Sequence, residues 1–121
     1  MVSSRSACAD LYELDHKSLK ELGPVLKRTE MLLRSAYSPR KVVFYKLGFS
    51  PGFSCHFHVA PITPTLMEEI RVHTSYADDP DGNDAILFLS RIYCERELTE
   101  AEARQMELTV NELRNMASDL A

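Results

Sequence analysis

Two imidazoles stand one residue apart in GFSPGFSCHFHVAPI, residues 48–62: His56 and His58, with Pro61 close behind. Alternate residues of an extended strand project from one face. On a strand, His56 and His58 therefore point the same way and Ser54 joins them, while Cys55, Phe57 and Val59 point the other way and read as core. A neutral imidazole can attack phosphorus, and a second one can hold a proton or steady the charge that develops. Backbone amides of loop residues 50–53 could hold anionic oxygens. An HxH pair can also chelate a metal. Catalytic zinc, however, takes three protein ligands as a rule, and His16 and His73 carry no recognisable ligand spacing. A glutamate four or five residues after the pair would help, but Ile62 and Thr63 stand there. The plain alternative is a wet sheet face that happens to carry two histidines.

Other candidates have plainer readings. Cys55 adjoins His56, but neighbours on a strand face opposite sides, so the thiol reads as core rather than as half of a catalytic dyad. Asp78, Asp79, Asp81 and Asp84 around Gly82 resemble a calcium loop in composition. Counting from Asp78, the closing glutamate of an EF-hand is replaced by Leu89, so a solvated turn is expected. Lys46 and Arg71 could attract phosphate, and solvated surface positions are expected for both. His73 could approach the site from the 76–84 loop, although nothing in the sequence requires it.

The elements that must position the pair follow from periodicity. From Asp15 to Tyr37, Leu19, Leu22, Leu26, Leu33 and Ala36 recur at helical steps. The seam keeps its phase across Gly23-Pro24, which favours one kinked helix over two. Ser38-Pro39 ends it. KVVFYKLGF, residues 41–49, is β-branched and aromatic and reads as a strand. Ser50-Pro51-Gly52 reads as a turn, which makes FSCHFHVAPI, residues 53–62, an antiparallel second strand reached through a tight connection and closed by Pro61 and Pro64. Residues 65–73 read as a short helix, 76–84 as a loop, and AILFLSRIYC, residues 85–94, as a strand in preference to a buried helix. Thr99 and Glu102 form a capping box. After it Ala103, Met106, Val110, Leu113, Ala117 and Leu120 make one apolar seam of a C-terminal helix. Another strand ends near Met1–Val2.

The 121 residues, 45% hydrophobic and 26% charged, suit one globular domain spanning 1–121. A net charge of −4 argues against a nucleic-acid backbone as partner. No apolar run nears the ~20 residues of a membrane span, and no apolar stretch near the start resembles a signal peptide. Three scattered cysteines, Cys8, Cys55 and Cys94, read as neither a disulfide framework nor a metal knuckle. They suit a reducing, cytoplasmic compartment. No cofactor or metal is expected. The order of elements predicts an α+β fold with an antiparallel sheet.

HFHVAP resembles the end of the histidine-triad (HIT) motif, in which histidine alternates with hydrophobic residues and a proline often follows. ADLYELDHKSLKELGPVLKRTEMLL, residues 9–33, resembles that family's central helix and its lead-in, and KVVFYKLGF the strand before the motif. The resemblance covers roughly residues 2–64, leaving 65–121 as a C-terminal extension. It implies a HIT-like sheet with a central helix. It also implies a nucleotide hydrolase or transferase in which a histidine attacks an α-phosphate and water resolves the intermediate. By position, His56 is the implied nucleophile and His58 the contact to phosphate or proton. The first triad position holds Ser54, and Ser50 is the nearest polar residue where the family often has glutamine; both become candidate phosphate contacts. A catalytically degenerate nucleotide- or protein-binding dimer is the alternative. HIT domains usually carry two or three strands before the central helix, and this chain begins at about the last of them. Residues 85–94 or a second copy of the chain are expected to fill the sheet, and a homodimer is expected.

Overall fold

The structure, a computed structural model, describes residues 1–76 and 79–119. It is an α+β fold: β1 (Val2–Ser3), α1 (His16–Tyr37), β2 (Lys41–Tyr45), β3 (His56–Ile62), α2 (Pro64–Val72), α3 (Gly82–Phe88) continuing into a π-helical turn (Leu89–Cys94), and α4 (Glu100–Asp119). The strands form one antiparallel sheet in the order β1-β3-β2.

β3 is central and changes partners along its length. Phe57 and His56 pair with Val2 and Ser3 of β1. His58 through Ile62 pair with Tyr45 through Lys41 of β2. The two histidines thus sit where one ladder hands over to the other. From His58 onward β3 is paired on one side only, so Pro61, which has no amide to donate, fits within the strand instead of closing it.

α1 begins at Asp15, whose carboxylate accepts from the Ser18 amide at 2.7 Å and the Ser18 hydroxyl at 2.9 Å. It runs unbroken through Pro24 and ends at Ser38, which adopts the left-handed conformation (φ 45°) just before Pro39. α1 packs on β2 and β3, with Leu33 its buried residue, and α4 packs on α1. The opposite sheet face is covered by α2 and α3. There Ile62, Ile70, Ala85 and Phe88 are buried together, with Val43, Ala60, Leu66, Met67, Tyr76, Leu89 and Ile92 packed around them. Pro64 opens α2 at a position that needs no amide, and the Thr63 hydroxyl caps the helix by accepting from the Leu66 amide.

Three expectations are corrected. Residues 85–94 are helical, not a strand, and cannot extend the sheet. Ala85, Phe88, Leu89 and Ile92 step 3, 1, 3 and face the core together, while Leu87, which strand alternation would bury on the side of Ala85, is half-exposed. The first strand stops at Tyr45 rather than at residue 49, because Gly48 takes φ +92° and leaves the extended region. The connection to β3 is accordingly a loop over residues 46–55, with Gly52 also at positive φ, and not a tight hairpin.

The acidic stretch is a helix start. The Asp81 carboxylate accepts from the Asn83 and Asp84 amides, and the Asp84 carboxylate accepts from the Asp81 amide. Asp78 lies outside the described residues. The capping box of α4 forms as read: Glu102 accepts from the Thr99 amide at 2.9 Å and Thr99 Oγ1 accepts from the Glu102 amide at 3.3 Å. Leu120 lies outside the described residues. No helix among those described is long and apolar enough to cross a membrane.

Candidate active site

The strand register puts His56 and His58 on the face that α2 and α3 cover further along at Ala60 and Ile62. Their Nε2 atoms lie 3.0 Å apart. His56 Nδ1 lies 2.6 Å from the Ser54 carbonyl oxygen. A carbonyl can only accept, so Nδ1 of His56 carries hydrogen. Neutral His56 then has a bare lone pair on Nε2, and His58 must donate its Nε2–H to it. One backbone carbonyl therefore sets the tautomers of both rings.

His56 is 6% exposed, the only buried polar or charged residue among those described. Its cover is the loop 46–55. Gly48 runs so close that a Cβ built there would lie 3.4 Å from His56 Cε1 and 3.5 Å from Phe53 Cβ. The Phe53 ring is tilted against that of His56 at 6.1 Å between centroids. His58 is partly buried and stacked on Tyr45, its cross-strand partner, with centroids 4.9 Å apart and ring planes within 6°. Burial, then the neighbouring His56, then the chain's amino terminus hold the His58 imidazole below its ordinary value, which keeps it neutral. Burial raises the Tyr45 phenol, so it too is neutral near pH 7.

Ser54 lies in the loop before the strand, so its side chain does not extend the His56–His58 row. It is exposed, and its carbonyl rather than its hydroxyl enters the site. Ser50 is also exposed, at the start of the turn over residues 50–52. Lys46 is engaged by Asp10 at 3.0 Å, and Arg71 by Glu68 at 2.9 Å and Asp79 at 3.4 Å. His73 belongs to the helical layer, edge-on to Phe88 and accepting from the Ser75 amide. His16 is the exposed first residue of α1. Among the described residues no group of three or more His, Cys, Asp or Glu comes together as a metal site would require.

Sequence reading missed Tyr45, Gly48 and Phe53. Tyr45 needs the β2–β3 register to be seen beside His58. Gly48 offered a signal, a glycine ending a β-branched run, but not which ring it would approach.

On the other sheet face a cleft of about 740 Å³ opens between the N-terminal segment and the first half of α1. Cys55 and Phe57, the strand residues that alternate with the histidines, form part of its wall. Comparison of the chain with family models, curated proteins and solved structures finds no match. The resemblance to histidine-triad proteins rests on the residues themselves.

Proposed function

We propose that the protein is a HIT-like nucleotide phosphohydrolase or nucleotidyl transferase that works through His56 on an α-phosphate. The observation that carries this reading is the pair of imidazoles 3.0 Å apart with the outer nitrogen of His56 tied to the Ser54 carbonyl. That tie presents the lone pair of His56 Nε2 for in-line attack. A phosphoryl oxygen entering the site replaces His56 as the acceptor of the His58 Nε2–H bond. His56 Nε2 then bonds to phosphorus as the bond to the leaving group breaks; neutral His58 keeps its Nε2–H on the phosphoryl oxygen, and the departing group takes its proton from water. The phosphorylated ring is cationic and keeps its Nδ1–H on the Ser54 carbonyl, which stabilises it. Water attacks phosphorus from the vacated side, releases the nucleoside monophosphate and restores the ring.

The test is release of adenylate from an adenosine phosphoramidate by the purified chain, with the burst of amine leaving group expected of a covalent nucleotidyl intermediate. His56→Ala abolishes turnover, a loss of roughly 10³-fold or more. Turnover that survives in His56→Ala sinks the nucleophile.

A second reading has its own observation. The large cleft lies on the face opposite the histidines, and Ser54 leaves the first triad position without an imidazole. Both suit a degenerate member, a homodimer that binds a nucleotide or a protein without turning it over. Thermal stabilisation by adenosine nucleotides with no product released supports it over catalysis.

A further inference from the structure

The N-terminal segment does not follow β3 smoothly. Val2 and Ser3 pair with Phe57 and His56, residues 4–7 then bulge away, and the chain returns at Cys8, whose carbonyl accepts the Cys55 amide at 2.7 Å. Cys8 therefore takes up the place opposite Cys55 that the ladder would have given to Ser4. Both thiols are buried, Cys8 at 9% and Cys55 at 3% exposure, and with Leu14 they make a cluster of their own. Ser4 Oγ lies 3.2 Å from Cys8 Sγ. Both cysteines are free.

We propose that Cys8 and Cys55 are a paired dithiol that closes to an intramolecular disulfide at the expense of a small disulfide reagent, and that closure restrains the strand beside His56. The Cys8 amide turns away to the Ser6 carbonyl, so a single backbone bond joins the two residues, but both thiols lie in one buried cluster with Leu14, and a disulfide needs α-carbons within roughly 4.4–6.8 Å. The cleft on this face reaches Cys55 and provides the way in. One thiolate attacks a sulfur of the reagent, forms a mixed disulfide and expels a thiolate. The second thiolate attacks the protein sulfur of that mixed disulfide and expels the other half. The protein loses two protons and two electrons, and the reagent leaves as two thiols. Burial raises the Cys55 thiol, so exchange is slow near neutral pH and quickens in mild alkali. The plainer role of two buried cysteines is to act as small apolar core residues, and the experiment separates the two. The inference stands apart from the proposed catalysis, because its readouts need no turnover.

The full chain carrying Cys94→Ser, which removes the exposed third thiol, is incubated with oxidised glutathione. The expected product is lighter by two hydrogens, retains no glutathione, yields a peptide joining residues 8 and 55, and reverts with dithiothreitol. Adding Cys8→Ser stops that loss of two hydrogens while Cys55 keeps its place in the fold. In the oxidised protein the ring resonances of His56 shift, since Cys55 lies between it and the carbonyl that orients it. Two thiols that still alkylate after unfolding, or a lasting glutathione adduct on either, overturn the pairing. A disulfide that leaves the His56 resonances in place overturns the restraint.

Discussion

One face of β3 has two ends with different contents. At the Ile62 end, Ala60 and Ile62 lie under α2 and α3, and Ile70 is wholly buried among carbon neighbours. At the other end His56 is nearly as deeply buried, but under a loop, with its two nitrogens taken by a carbonyl and a second imidazole. The apolar end follows the general rule that burial stabilises in proportion to area. The histidine end follows a different one, that a buried polar group is tolerated when every hydrogen-bonding atom is matched. The first is insensitive to proton position and the second depends on it. Apolar burial and proton-dependent pairing are thus divided along a single strand, and each end offers its own substitution to test.

The sharpest break at the histidine end is His58→Ala. It removes the donor that faces Nε2 of His56 and that would hold a phosphoryl oxygen. On the proposed mechanism it lowers the rate of adenylate release by about 10²–10³-fold, while the urea midpoint moves far less than for a core deletion. A variant with unimpaired turnover shows that His58 takes no part. At the apolar end the corresponding change is Ile70→Ala, which costs about 2–5 kcal/mol of unfolding free energy and is read as a lowered urea midpoint at unchanged slope. Below that midpoint the Nε2–Nε2 pair persists, seen as unchanged histidine ring resonances. If those resonances collapse in the still-folded variant, the two ends are one unit.

Gly48→Ala tests the cover between them. The new methyl group would meet the His56 ring at 3.4 Å and the backbone sits at φ +92°. The strain is about 1–3 kcal/mol, expressed as a loosened loop and a more exposed His56. Faster hydrogen exchange over residues 46–55 with β2 and β3 protected is the expected result. Exchange identical to that of the parent chain shows that the loop tolerates a side chain there and is not held by its approach to His56.

What could be read from the sequence follows the same division. The shared face of His56 and His58, the long helix through Pro24 and the capped C-terminal helix were legible because each rests on local periodicity or a local cap. The removal of Ser54 from the row was not, because it depends on where β3 starts, and that is settled by Ser3 and Tyr45 on other strands. Residues 85–94 misled for a different reason. A short apolar run suits either a strand or a buried helix, and the deciding signals were the i, i+3, i+4, i+7 spacing of Ala85, Phe88, Leu89 and Ile92 and the Asp81–Asp84 cap ahead of them. The composition of the acidic stretch reads as a solvated turn, and the Asp81–Asp84 pair within it starts a helix instead.

The smallest expected effect is on the pH dependence of stability, and it follows from the proton count. Folding lowers the His58 value from the ordinary 6.5 through burial, the adjacent His56 and the amino terminus. Just below pH 6.5 the unfolded chain therefore binds more protons at this residue than the folded chain does. Stability rises with pH wherever the unfolded state holds the excess. The His58 contribution is then complete above pH 6.5 and declines as the pH falls toward the folded value, beneath which it changes no further. Glu102, held down to about 2 by Arg96 and the Thr99 donors, loses its own contribution only as pH falls from 4.5 toward that value. The histidine effect begins two units earlier. Comparing urea midpoints of the parent chain and His58→Gln between pH 7.5 and 5 isolates it. The parent loses stability relative to the variant as the solution is acidified. A difference that stays flat, or that grows in the parent's favour toward pH 5, means that His58 is solvated or gains a partner for its charge, and the neutral donor on which the pairing with His56 depends is then absent.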